Sequence, residues 1–415
     1  MTSARKFRGT CYLIEGINSA ASVLYFNYLY FYFRHQYGFG NKDNLLLAAF
    51  IGLIYTVASW QGGKVAARIG YFNALKVGFG IMAVGLLVGS QLHTVTGEIA
   101  AAGFTNMGMC LTWPTLEALI SEGDAPAAAI GLYNVVWAAA NALAYFLGGT
   151  LIEKLGYRSI FYAPFGLLLV QLLLVAMLEK IPVIAAPFEP GRPPPPPDPR
   201  RPSPARARSF QHMAWLANPF AYIAINTLFA VIPGIAAKFQ LSPMLAGFAC
   251  SLWCFARLGI FVLLWFWTGW HYRFRWLAGA FVLLILSFAT ILTTPNLALL
   301  LISQVLFGGA IGLMYYSSLY YSMDASDTKS EHGGIHEAII GLGNCLGPAV
   351  GAGALLFLPR VPNAGAMAVS VLLVGGFGGL LAIWKKSQMR DGSAQEDRPG
   401  APAQKNLASS STGVK

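Results

Sequence analysis

Arg257 stands alone in the apolar stretch SLWCFARLGIFVLLWFW, residues 251–267. An arginine so far from either end of a membrane-length segment snorkels poorly, and needs an acceptor, an aromatic face or an anion. Its forked guanidinium suits a carboxylate, and a structural clamp onto a carbonyl or an Asn is the alternative. Two further stripes could join it. Asn134, Trp137, Asn141 and Tyr145 recur every three or four residues, so they share one face of a helix. They offer hydrogen bonds and ring surface to a solute, or glue to a neighbouring helix. Glu15, Asn18, Ser19, Ser22 and Tyr25 share a face in the same way. Glu15 either takes up a proton there or snorkels to the interface.

Other residues read as structural. Glu117 is expected on the surface at the inner end of its segment. His336 and Glu337 open another segment, where a carboxylate suits the helix N-terminus, and they read as a cap and gate contact. Gly343, Gly347 and Gly351 with Pro348 form a run of small residues suited to close packing or a hinge.

The elements that hold these residues are apolar helices. Of 415 residues 56% are hydrophobic and 11% charged, with mean hydropathy +0.57; soluble domains carry about 25% charged residues. Twelve apolar runs follow one another at approximately 10–33, 45–61, 72–92, 98–120, 127–150, 159–178, 214–236, 244–267, 275–293, 297–322, 335–357 and 364–384. Each is long enough to cross a hydrocarbon layer about 30 Å thick. None alternates with the period of a barrel strand, so helices are the expected spanning form. The expected class is therefore all-α integral membrane.

The net charge of +11 is placed by topology. With the N-terminus inside, basic residues such as Arg5, Lys64, Arg68, Lys76, Arg273 and Arg275 gather on the cytoplasmic side. This predicts a multi-pass protein of the cytoplasmic, inner membrane with both termini inside, whose basic surface meets lipid and not nucleic acid. The first run is expected to be retained as a helix. Cys11, Cys110, Cys250, Cys254 and Cys345 lack metal-ligand or disulfide-framework spacing, and no cofactor or metal is expected.

The segment FEPGRPPPPPDPRRPSPARARSF, 188–210, divides the runs six and six. Its proline run favours an extended tether. The expected organisation is a six-helix bundle over 1–180, a cytoplasmic linker over 181–213, a second bundle over 214–386 and a disordered tail over 387–415. IGLYN at 130–134 returns as IGLGN at 340–344. A repeat in the same orientation predicts two pseudo-symmetric bundles with a pathway between them.

The loop GKVAARIGYFNAL from Gly63 carries the resemblance to a family. Gly63, Arg68 and Gly70 match a signature of the major facilitator superfamily, which the chain resembles over essentially its whole length. Ala67 stands where that signature has an aspartate, and Tyr71 and Phe72 replace its basic pair. The loop GGTLIEKLGYRSIF, 148–161, matches better. GNCLGPAVGAG, 343–353, is similar to the superfamily's antiporter motif but lies on the eleventh run instead of the fifth, so antiport is not inferred.

The resemblance implies a monomeric secondary active transporter working by alternating access. Gly63, Arg68, Gly70, His336 and Glu337 would contribute a cytoplasmic gate. Asn18, Tyr25, Asn134, Trp137, Asn141 and Arg257 would line the substrate pathway, and Glu15 is the candidate for coupling a proton co-substrate. The expected cargo is a small polar solute, with a lean toward one bearing an acidic group. A drug, amphipath or lipid exporter of the same fold is the alternative. A non-transporting sensor is a further rival, and a membrane-embedded transferase another, although no catalytic cluster stands out. No ATP-binding GxxxxGK[ST] motif occurs, and no enzymatic activity is expected.

Overall fold

The computed structural model describes residues 3–121, 126–181, 202–325 and 332–396. Thirteen helices and no strand occur among these residues. They are α1 (Ser3–Tyr37), α2 (Asn41–Ile69), α3 (Tyr71–Gln91), α4 (Val95–Ser121), α5 (Pro126–Leu155), α6 (Ser159–Leu178), α7 (Pro204–Lys238), α8 (Pro243–Cys250), α9 (Leu252–Phe266), α10 (Phe274–Thr293), α11 (Leu297–Ala325), α12 (His332–Phe357) and α13 (Ala364–Glu396). The predicted eighth run is one span interrupted at Ser251, whose hydroxyl donates to the Phe248 carbonyl at 2.9 Å. Twelve crossings result. Ten are long and apolar enough to span a membrane by length and composition alone. The other two, α1 and α4, carry the buried polar residues Glu15, Asn18, Glu98 and Asn106.

Two boundaries differ from the sequence expectation. Helix α7 begins at Pro204, inside the segment read as linker, because Pro fits the first helical turn and Ser203 precedes it. Helix α13 continues to Glu396, past the expected start of the tail.

Packing repeats between the halves. In the first, α1 lies on α5 and α6, α3 on α4 and α6, and α2 on α4. In the second, α7 lies on α12 and α13, α10 on α11 and α13, and α9 on α11. The two sets correspond one to one, so the recurring phrase at 130 and 340 sits on equivalent helices, α5 and α12. The halves meet through α2 against α12 and α5 against α8 and α9, themselves equivalent pairs.

Small residues allow this approach. A Cβ on Gly52 would lie 2.5 Å from the backbone of Asn344, and one on Gly341 would lie 2.7 Å from Thr56 Cα. Gly343 and Gly347 press on the α7 backbone at Pro219 and Ile223, while Gly351 faces Leu45 and Val369. In lipid, where apolar burial gives little net drive, such backbone contact is a main source of helix association. Leu53, Val57, Leu147, Leu173 and Val371 are exposed, a surface suited to hydrocarbon and not to water.

The start of α1, the end of α6, the start of α7 and the end of α13 lie at one end of the bundle, the linker end. At the opposite, far end the halves touch closely. Gly149 of α5 meets the Pro243 backbone, and Glu153 Oε1 accepts from the Met244 amide at 2.9 Å. The Tyr28 hydroxyl donates to the Tyr145 carbonyl beside Gly247 of α8.

Candidate functional site: a charged cavity between the halves

The halves enclose a cavity of about 190 Å3, room for on the order of a dozen water molecules. Its walls come from α1, α2, α4 and α5 on one side and α7, α9, α11 and α12 on the other. Four charged residues line it: Glu15, Glu117, Glu337 and Arg257.

Arg257 is 5% exposed. Its guanidinium lies 4.4 Å from the Trp137 ring and 5.0 Å from the Trp253 ring, and Nε has no hydrogen-bond partner. The eighth span brings the arginine to mid-depth, and the α5–α9 contact brings Trp137 to it. Two indole faces stabilise the cation by roughly 0.5–2 kcal/mol each without consuming its hydrogen-bond donors. Among the described residues no carboxylate pairs with it.

The carboxyls are likewise free of basic partners among the described residues. Glu15 is fully buried; Oε1 accepts from Ser19 at 2.8 Å and Oε2 has no hydrogen-bond partner. Tyr133 and Trp113 approach the same group more loosely. Glu337 accepts a short hydrogen bond from Tyr55, which ties α12 to α2 across the halves. Glu117 is not at the surface expected for it. The turn before the linker end of α4 points it inward, where it lines the cavity.

The stripe on α5 divides. Trp137 and Asn141 line the cavity, whereas Asn134 is buried beside it and accepts from Trp137 Nε1 at 2.7 Å. Asn18 is buried outside the lining and donates to Thr112 Oγ1 at 3.3 Å. Tyr25 turns to the other side of α1, its ring 5.6 Å from Phe161 of α6. Arg68 is exposed at the linker end, between Gly63 and a Gly70 whose φ of +86° favours glycine. His336 and Glu337 do not open their helix as expected, because α12 begins one turn earlier at His332; the side chain of His336 is outside the described residues.

Sequence reasoning missed part of the lining. Asn226 of α7 donates to Asn344 Oδ1 of α12 at 2.6 Å, so the second half also presents carboxamides to the cavity. A lone Asn in FAYIAINTLF was the available signal. Tyr222 and Tyr315, with rings 6.4 Å apart, line the wall beside Arg257. In sequence they look like any core aromatics.

A family model described as Major Facilitator Superfamily matches residues 9–219, which is more than half of the chain. The chain belongs to the major facilitator superfamily. Membership makes it a multi-pass membrane transporter and not an enzyme. Among solved structures, this major facilitator protein is similar to the nucleoside transporter NupG at 14% identity and TM-score 0.68, covering 91% of this chain and 99% of that one. It is similar to a variant of the peptide transporter POT in complex with alafosfalin at 15% identity and TM-score 0.70, covering 92% and 94%. It is also similar to the human organic anion transporter MFSD10 (TETRAN) at 17% identity and TM-score 0.62, covering 92% and 100%. At these identities the likeness is one of fold. No curated protein matches the chain.

Proposed function

We propose that this chain moves a small polar solute bearing an acidic group across the cytoplasmic membrane by alternating access, coupled to protons, with linker and termini inside. The supporting observation is Arg257: a buried cation at the cavity wall, held by indole faces and, among the described residues, without a carboxylate partner. A buried charge is costly when uncompensated, so an anion entering the cavity gains what the arginine lacks. Trp137 and Asn141 of the first half and Asn226 and Asn344 of the second give the solute partners on both sides of the moving interface. Glu15 supplies a carboxyl that pairs with no basic residue among the described residues, able to carry a proton between the two faces. Tyr55–Glu337 is a contact that rocking of the halves would make and break at the linker end.

Purified protein in proteoliposomes tests this by counterflow of labelled carboxylates, sugars, nucleosides and cationic drugs. Uptake of an acidic solute that Arg257→Gln abolishes, with normal folding, supports the reading. Full transport by Arg257→Gln removes Arg257 from the site, and uptake confined to cationic drugs favours the exporter of amphipaths.

A further inference from the structure

We infer that the cavity is built for a zwitterion, with Arg257 taking the solute's acidic group and Glu117 taking an ammonium group. The inference rests on the transport reading above and adds a second subsite to it.

The cavity holds charges of both signs that do not meet. Arg257 projects from α9 in the second half, and Glu117 from α4 in the first. Tyr222 and Tyr315, with rings 6.4 Å apart, line the same cavity as Arg257 and Glu117. Opposite charges in a low-dielectric cavity attract strongly enough to collapse into a pair when nothing holds them apart. Here Trp137 and Trp253 hold the guanidinium in place, one ring on each half. A neutral solute would leave the guanidinium uncompensated, and a simple anion would leave the Glu117 carboxyl without an ionic partner. A zwitterion answers both.

Among the three carboxyls, Glu117 is the one with neither oxygen hydrogen-bonded among the described residues. Glu15 is engaged by Ser19, and Glu337 by Tyr55. Glu117 has no hydrogen-bond or basic partner among the described residues. It lines the cavity and is only partly buried as a residue. Trp113, one turn earlier on the same helix, and Tyr133 add aromatic surface on this side, which an ammonium tolerates well.

The test is binding to the purified full chain, read by thermal shift and isothermal calorimetry, using leucine, 4-aminobutanoate, alanyl-alanine and 6-aminohexanoate as zwitterions of increasing charge separation. Each is compared with its N-acetyl derivative, which keeps only the anion, and its amide, which keeps only the cation. At least one zwitterion is expected to bind about tenfold or more tightly than either derivative, in line with one charged hydrogen bond lost. Glu117→Gln is expected to erase the preference over the N-acetyl form, and Glu117→Asp to retain part of it in protein that folds equally well. An N-acetyl form that binds as well as its parent overturns the ammonium subsite and leaves the acidic-solute reading standing. An amide that binds as well overturns the role of Arg257 and so the proposal. Binding of none of the zwitterions, while a simple carboxylate is transported, overturns the zwitterion alone.

Discussion

Trp137 of α5 and Arg257 of α9 join the two halves at the cavity wall, the guanidinium 4.4 Å from the centre of the indole ring. The same indole donates to Asn134 at 2.7 Å and packs edge-on against Phe261 and Tyr315. The arginine's position is therefore set by a ring whose own orientation is fixed from three directions.

Replacing that ring tests how much of the site it organises. Trp137→Leu removes one cation–π face, about 0.5–2 kcal/mol, and should weaken binding of an acidic solute by roughly 2- to 30-fold. Trp137→Phe should retain part of the effect. Equal affinity in all three proteins, measured by calorimetry, would make the ring a packing element only.

Arg257→Lys separates charge from geometry. The ammonium keeps the charge but loses the fork, so transport of a carboxylate should fall markedly, with the loss in apparent affinity. Kinetics that are unchanged relative to the parent would mean a point charge suffices.

Accessibility distinguishes the faces of α5. In a background without native cysteines, a removal made necessary because Cys254 lines the cavity, Asn141→Cys should react with a small membrane-impermeant thiol reagent and be protected by solute. Leu143→Cys, on the 53% exposed lipid face, should remain inert. Equal reactivity at both positions would remove the aqueous pathway from this side of α5.

Coupling should depend on Glu15. Glu15→Gln should abolish accumulation driven by a pH gradient and leave counterflow largely intact, because exchange needs no net proton movement. Equal loss of both activities would assign Glu15 to folding or binding.

Closure at the far end should depend on Gly149. A side chain there collides with the Pro243 backbone, so Gly149→Val forces α5 from α8. Overpacking of this kind typically costs about 1–3 kcal/mol. The expected result is a lower Tm together with far-end thiol reactivity that persists when solute is bound. A variant that transports and melts like its parent would show that this contact is not part of the gate.

The sequence by itself determined the membrane-spanning class, the two-fold repeat of six helices and the depth of Arg257, because each follows from local properties. Hydropathy over about 20 residues decides whether a helix can enter the bilayer, and duplication of a bundle duplicates its phrases. It also showed that Asn134, Trp137, Asn141 and Tyr145 share one side of α5. Spacing stops there. A stripe on one helix covers a broad arc, and the packed neighbours decide which part of it meets the cavity. Asn134 thus lies behind Trp137, Tyr25 faces Phe161, and Asn18 bonds to Thr112. Only the tertiary structure turned Glu117 inward and set Asn226 against Asn344. It alone placed the Arg257 guanidinium beside indole rings from two separate helices. Those placements depend on helix rotation and on contacts between residues more than a hundred positions apart, which no local pattern in the chain encodes.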